Sequence, residues 1–132
     1  MLHLIIPLPA KPQGSKRGFI RNGRVTMVEA STDLKKVRNE FTRLIKIQAD
    51  GWRAPHPDAA ITVSVWFQFE RPKTAKRRYM TTVPDNDKLV RFTFDALTDA
   101  GVWLDDKQVT DLHAYKRYGD TNLTEIMVSY EH

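Results

Sequence analysis

The chain has 132 residues, of which 41% are hydrophobic and 28% are charged, a composition typical of a globular protein. This length fits one compact domain, so we expect a single domain over residues 1–132. The chain contains no cysteine, which excludes disulfides, cysteine-ligated zinc, iron–sulfur clusters and thiol catalysis. The absence of cysteine also makes an intracellular protein the simplest expectation. No apolar run approaches the roughly 18 residues that span a membrane, so we expect no membrane partner.

The net charge of +5 comes from 21 lysines and arginines against 16 acidic residues. Such an excess favours a polyanionic partner when the basic residues are clustered. They are clustered in two segments, residues 11–24 and 71–78. Either segment alone is also compatible with an ordinary solvated loop. Two of them, one directly before an acidic motif, favour nucleic acid as the partner.

The first half of the chain is predicted to contain a strand, a hairpin and a helix, over residues 3–9, 19–27 and 31–49. The hairpin prediction rests on Asn22-Gly23, the preferred residue pair for a type I′ turn. The helix prediction rests on apolar residues at helical spacing after a serine and a threonine, both of which are good N-caps. Gly51 is expected to end the helix.

The second half is predicted to contain a strand, a helix and two further strands. Residues 61–69 alternate apolar and polar side chains, as in a strand with one buried face. The helix is predicted from about Lys88 to Asp99, and residues 107–118 and 123–130 are predicted to form an antiparallel pair. The pattern indicates an α/β or α+β fold in which a mixed sheet of about four strands and an N-terminal hairpin pack with two helices.

Residues 84–87, Pro-Asp-Asn-Asp, place two carboxylates one residue apart. If the backbone stays extended after Pro84, Asp85 and Asp87 point to the same side of the chain, as the ligands of a metal ion would. The alternative is that Asp87 caps the following helix, where aspartate is favoured by hydrogen bonding and by the helix dipole. Capping accounts for Asp87 and leaves Asp85 unexplained, so both interpretations stay open.

A third carboxylate can reach the same place. A helix over residues 88–99 rises about 18 Å, and seven extended residues return about 23 Å, which brings Asp106 back toward the two aspartates. Three carboxylates with no histidine or cysteine nearby in sequence form an all-oxygen site suited to Mg²⁺ or Mn²⁺ rather than zinc. Such carboxylates raise one another's pKa unless a cation lies between them.

Arg91 lies four residues after Asp87 and four before Asp95, so all three share one helix face. It is either part of an exposed ion-pair ladder of small energetic value or a cation that contacts the carboxylates or a scissile phosphate. His113 has no serine, cysteine or acidic partner that the sequence identifies, so a nucleophilic triad is poorly supported. The chain has no glycine-rich phosphate loop, and we expect no small-molecule substrate.

Residues 84–109 read PDNDKLVRFTFDALTDAGVWLDDKQV. This stretch resembles the RusA family of Holliday junction resolvases, whose pattern is approximately P-D-x-D-N-L-x-K-x-x-x-D-A-L followed by a glycine and D-D-x-Q-V. The resemblance implies one RusA-like endonuclease domain and a homodimer that binds four-way DNA junctions and cuts two symmetric strands with Mg²⁺. The family's metal-binding aspartates match Asp85, Asp87 and Asp106. The chain departs from the pattern at Lys88, usually asparagine, and at Arg91, usually lysine, a change that keeps the charge but alters its geometry.

The interpretation is a Mg²⁺-dependent, structure-selective endodeoxyribonuclease that resolves Holliday junctions in recombination and repair, with Mn²⁺ as the alternative ion. The expected catalytic residues are Asp85, Asp87, Arg91 and Asp106. The expected DNA-binding residues are Lys16, Arg17, Arg71, Lys73, Lys76, Arg77 and Arg78. The expected setting is cytoplasmic and nucleoid-associated, with a phage or prophage origin left open. The alternatives are a DNA-binding protein without catalysis and a metal-dependent nuclease for other branched DNA or RNA.

Overall fold

A computed structural model describes the backbone of residues 1–14, 17–21, 24–28 and 32–131 and the side chains of residues 1–14 and 33–131. The elements are β1 (Leu2–Ile6), β2 (Arg17–Arg21), β3 (Arg24–Val28), α1 (Thr32–Ala49), β4 (Ala60–Glu70), α2 (Asn86–Asp99), β5 (Val109–Gly119) and β6 (Leu123–Glu131). A short 3-10 helix, Asp106–Gln108, precedes β5. The α+β fold class and the order of elements are those predicted from the sequence. No helix in the described ranges is long and apolar enough to cross a membrane.

The main sheet has four strands in the order β1-β6-β4-β5. β6 runs antiparallel to both of its neighbours, whereas β4 and β5 are parallel. The prediction that the last two strands pair with each other was wrong, because β4 lies between them. The chain passes through α2 between β4 and β5. Such a crossover lets two consecutive strands lie side by side in parallel, so β5 pairs with β4 and not with β6. β2 and β3 form a separate antiparallel hairpin, as predicted; its predicted turn, residues 22–23, lies outside the described residues.

The core lies on one face of the main sheet, under the two helices. The alternation of β4 buries four side chains completely: Ile61, Val63, Val65 and Phe67. The helices contribute further fully buried side chains, among them Phe41, Ile45, Leu89, Phe92 and Leu97. The Phe41 and Phe92 rings meet edge to face with their centroids 5.0 Å apart, an arrangement that aromatic pairs favour. α1 and α2 therefore pack against each other as well as against the sheet.

α2 begins two residues earlier than predicted. Asp85, not Asp87, occupies the N-cap position, with extended backbone angles of φ −75° and ψ 143°. The Asp85 carbonyl accepts a hydrogen bond from the Leu89 backbone N–H at 3.2 Å. Extended geometry therefore stops at Asp85, so the condition under which Asp85 and Asp87 would point to the same side of an extended chain is not met. Asp87 instead lies in the first helical turn.

Candidate metal and DNA site

The acidic turn, Asp85–Asp87, carries its two carboxylates at the exposed start of α2. Asp85 holds the N-cap position, yet its side chain makes no capping hydrogen bond with any described residue. Its carboxylate lies 3.7 Å from the Lys88 ammonium, and both side chains are at least half exposed. Asp87 is exposed in the first turn, where the helix dipole favours a negative charge. The turn therefore presents two carboxylates toward solvent at the positive end of a helix.

Asn86, between the two aspartates, points a third oxygen inward. Its carboxamide oxygen is buried and has no hydrogen-bond partner within the described part of the chain. An unsatisfied buried oxygen costs about 1–3 kcal/mol, so a donor or a cation at this position is favourable. Carboxylate and amide oxygens are the ligands that Mg²⁺ accepts. The donor types at the acidic turn thus fit a hard divalent cation.

The adjacent aspartates before β5 have different roles. The Asp105 carboxylate accepts a hydrogen bond from the Lys107 backbone N–H at 2.9 Å and caps the 3-10 helix. The Gln108 side chain completes this capping box by accepting from the Asp105 backbone N–H at 3.2 Å. Partial desolvation raises the pKa of Asp106, and a side-chain hydrogen bond with Asp105 and the negative charges of Asp105 and Asp95 raise it further. Asp105 is therefore a structural cap, and Asp106 is the carboxylate that a cation would relieve.

The pKa of Asp106 also depends on a carboxylate of α2. Asp95, two turns after Asp87 on α2, adds to the rise in its pKa. Sequence reasoning treated Asp95 as an ion-pair partner of Arg91 and missed its proximity to Asp106. Within the described ranges, no group of three histidine, cysteine, aspartate or glutamate side chains is close enough to hold a metal ion. The structure thus does not bring Asp85, Asp87 and Asp106 together as a set of ligands, and their shared role in holding a cation stays a prediction.

The Asp95 carboxylate also anchors the segment after β1. It accepts a hydrogen bond from the Gln13 side-chain amide, whose oxygen accepts from the Arg38 guanidinium at 2.8 Å. The Gln13 backbone N–H donates to the Lys88 carbonyl at 3.1 Å. An open groove of about 370 Å³ lies between this segment and the acidic turn, lined by Ala10, Lys11, Pro12, Phe69, Val83, Pro84, Asp85 and Lys88. The acidic turn is thus one wall of a groove with apolar sides and lysines at its edge.

The basic loop, residues 71–78, is fastened to the end of β5 by its first arginine. The Arg71 guanidinium donates to the Arg77 carbonyl at 2.5 Å and to the Arg78 carbonyl at 3.2 Å. It also lies over the Tyr118 ring, 4.6 Å from the centroid. Arg71 therefore helps to hold the loop in shape, and the phosphate contact predicted for it stays a prediction.

The other predicted DNA-binding residues divide into two groups. Lys73, Lys76, Arg77 and Arg78 are exposed on the loop. Arg77 donates to the Tyr118 hydroxyl at 3.3 Å, and this hydrogen bond is the main cause of a lowered Tyr118 pKa. Lys16 and the side chain of Arg17 lie outside the described residues. The loop therefore presents four cations a few residues before the acidic turn.

Arg91 is exposed on α2 between Asp87 and Asp95, and its catalytic role stays a prediction. His113, which the sequence left without an acidic partner, contacts the Asp111 carboxylate at 2.9 Å. Lys116 was missed altogether: its ammonium donates to two backbone carbonyls just before the acidic turn. The available signal was a lysine in a strand row otherwise made of Leu112, Ala114 and Tyr118.

Comparison with known proteins gives a consistent result. A family model described as endodeoxyribonuclease RusA matches residues 9–129. A crossover junction endodeoxyribonuclease RusA from Shigella sonnei (strain Ss046) is 32% identical over 111 residues, covering 84% of this chain and 80% of the relative. A protein with the same description from Enterobacteria phage 82 is 30% identical over 114 residues, covering 86% and 81%. The uncharacterized protein YqaN of Bacillus subtilis (strain 168) is 30% identical over 132 residues, covering 88% and 87%.

Proposed function

The chain belongs to the RusA family of endodeoxyribonucleases, and from this premise we propose that it resolves four-way DNA junctions by paired, Mg²⁺-dependent cuts. One observation supports the proposal most strongly. The Asp85 carboxylate stands at the N-cap of α2 without capping the helix through any described contact. Its side-chain oxygens are therefore not used in capping, and it stands a few residues after a loop of exposed cations.

Asp85, Asp87 and Asp106 are the residues proposed to hold the ion. When bound, Mg²⁺ supplies a Lewis acid for the phosphate and lowers the pKa of an attacking water. The protein contributes the carboxylates, whose charge is favoured at the start of α2 by the helix dipole. Arg91 contributes a positive charge that lies one turn along the helix and can meet the phosphate as its charge develops.

The exposed cations of the basic loop are proposed to bind the DNA backbone. Phosphate contacts from lysine and arginine supply affinity and position without reading sequence. The proposed contacts are Lys16, Arg17, Arg71, Lys73, Lys76, Arg77 and Arg78, of which Arg71 also shapes the loop. A four-way junction has two-fold symmetry, so a homodimer would place one site on each of two opposed strands.

The test is cleavage of four substrates that share one sequence: a four-way junction, a replication fork, a flap and a linear duplex. We expect cuts in the junction with Mg²⁺ at symmetric positions in two opposed strands, and no cuts in EDTA. Equal cutting of forks, flaps or branched RNA would move the proposal to a nuclease of broader structure selectivity. Cutting of the junction in EDTA would contradict the metal requirement.

A second candidate is a junction-binding protein that does not cut. The Lys88 ammonium lies 3.7 Å from the Asp85 carboxylate and partly neutralises the charge that a cation needs. The same assay separates the two candidates when it is run beside a binding measurement. Tight junction binding without cleavage in either Mg²⁺ or Mn²⁺ would favour the second candidate.

A further inference from the structure

Lys116 lies in an unexpected row of β5. The register with β4 places Leu112, Ala114, Lys116 and Tyr118 opposite Val63, Val65, Phe67 and Phe69. Lys116 therefore faces the helix-covered side of the sheet beside the fully buried Phe67. Lys116 is partly buried, so its aliphatic stem can cover apolar surface there while its ammonium keeps polar partners.

The ammonium has two partners, and both belong to the approach to α2. It donates to the Thr82 carbonyl at 2.5 Å and to the Pro84 carbonyl at 2.9 Å. The Pro84 carbonyl belongs to the peptide unit whose nitrogen is that of Asp85. Charge-assisted hydrogen bonds of this kind are about twice as strong as those between neutral groups. Lys116 thus holds the peptide from which the Asp85 side chain projects.

The orientation of Asp85 depends on that peptide. Asp85 is the last extended residue before the helix, so its side-chain direction is set by the backbone at residues 84 and 85. From Asn86 onward the helix determines the position of Asp87. Tyr118, the next residue in the Lys116 row, also has a side-chain hydrogen bond with Thr82, which contributes to lowering its pKa. Two side chains on the same face of β5, Lys116 and Tyr118, therefore bond the approach segment, residues 82–84, which leads into α2.

We infer that Lys116 is a positioning residue that aims the acidic turn for cation binding by holding the Thr82 and Pro84 carbonyls. The inference rests on the proposed function, because it assigns Lys116 a role at the same metal site. Outer-shell residues that orient ligands change metal affinity by about 10–100-fold when they are removed. Lys116 acts through the backbone and is not itself a catalytic residue.

A role of Lys116 as a charge and a role in positioning predict opposite changes in cation affinity when Lys116 is removed, so the inference can be tested. If Lys116 acts only as a nearby positive charge, its removal strengthens cation binding, because repulsion of the ion falls. If Lys116 positions the acidic turn, its removal weakens cation binding despite the lower repulsion. Lys116→Arg keeps the charge and two donors, so it should restore much of the affinity.

The experiment measures Mn²⁺ binding to the DNA-free protein by electron paramagnetic resonance of the unbound ion. We expect Lys116→Met to bind Mn²⁺ about tenfold more weakly than the parent and Lys116→Arg to bind within about threefold of the parent. The matched control is Arg117→Met, one residue along the strand on the opposite face. Arg117 donates to Gln68 at 2.9 Å and approaches Glu125 at 3.5 Å, so its loss removes the same charge without touching the approach segment.

Amide hydrogen exchange gives a second readout that needs no metal. In Lys116→Met, the amides of residues 85–89 should exchange several-fold faster than in the parent, whereas Arg117→Met should leave them unchanged. Lys116→Gln, with one neutral donor group, serves if the methionine variant does not fold, and should lie between parent and methionine in both readouts. Junction cleavage by Lys116→Met should slow by a similar factor at limiting Mg²⁺.

The outcomes separate this inference from the proposed function. Equal or tighter Mn²⁺ binding by folded Lys116→Met or Lys116→Gln, with the parent active, would overturn the positioning role alone. Failure of Lys116→Arg to recover affinity while Arg117→Met remains normal would also contradict it, because both donors are then in place. A parent protein that neither binds Mn²⁺ nor cuts any branched DNA would overturn the proposed function and this inference together.

Discussion

The basic loop and the acidic segments carry opposite charges, yet both divide their charged side chains between internal bonds and solvent. In the loop, all five cations are exposed, but Arg71 also donates hydrogen bonds to the Arg77 and Arg78 carbonyls. In the acidic segments, Asp105 caps the 3-10 helix, while the Asp85 carboxylate is exposed at the start of α2. The difference teaches that the charged residues of one cluster are not equally available to a ligand, because the fold already uses some of them in hydrogen bonds.

The largest effect on cleavage is expected from substitutions in the acidic segments. Asp85→Asn and Asp87→Asn should each slow single-turnover junction cleavage by at least about a hundredfold, because loss of a ligand exceeds loss of an outer-shell partner. Asp106→Asn should do the same. Asp105→Asn is the matched control, because asparagine caps as well as aspartate, and it should stay within about threefold of the parent. An Asp85→Asn enzyme that cuts at the parental rate would remove Asp85 from the metal site.

Substitution of Arg91 tests whether this exposed cation on α2 assists cleavage or only forms ion pairs with neighbouring carboxylates. Arg91→Ala should slow cutting at saturating Mg²⁺ by at least about tenfold, a barrier increase of about 1.4 kcal/mol, while Arg91→Lys retains much of the rate. Single-turnover cleavage with excess enzyme reports this step after binding is saturated. If Arg91 only forms an exposed ion pair, the alanine variant loses less than about 1 kcal/mol of stability and cuts within twofold of the parent.

In the basic loop, two sets of variants separate the effect of positive charge on DNA binding from the effect of loop shape. Changing Arg77 and Arg78 together to alanine should weaken junction binding and reduce its log–log salt slope by up to about two units. Arg71→Lys keeps the charge but replaces the planar fork that bonds two carbonyls. It should weaken binding several-fold with an unchanged salt slope. Titrations at several salt concentrations measure both, and an unchanged slope in the double variant would place the DNA elsewhere.

The smallest effect is expected at Lys88, the cation next to Asp85. Lys88→Asn should lower the Mg²⁺ concentration for half-maximal cleavage a few-fold, because the Asp85 carboxylate loses a competing positive charge. Stability should fall by less than about 1 kcal/mol, since the side chains of the pair are 50% and 56% exposed. A Mg²⁺ titration of the cleavage rate checks the first expectation and thermal unfolding the second. A higher Mg²⁺ requirement in the variant would show that Lys88 assists the site.

Local patterns in the sequence determined most of the elements. The period-two alternation of residues 61–69 predicted β4, and helical spacing predicted α1, because each pattern depends on neighbours only a few residues apart. The motif over residues 84–109 determined the family, and the family match confirmed it. The ion, its ligands and the homodimer remain proposals, because the residue pattern identifies possible oxygen ligands but not their positions relative to one another.

The tertiary structure decided which strands are neighbours and which charged groups are already bonded. β5 and β6 flank β4 because the crossover through α2 places β5 parallel to β4, and local periodicity carries no record of that pairing. Lys116 meets Thr82 across 34 residues of sequence, and Arg71 reaches over Tyr118 at the far end of β5. Propensity and motif act over one or two turns of chain, whereas the partner of a charged side chain is set by packing between distant segments.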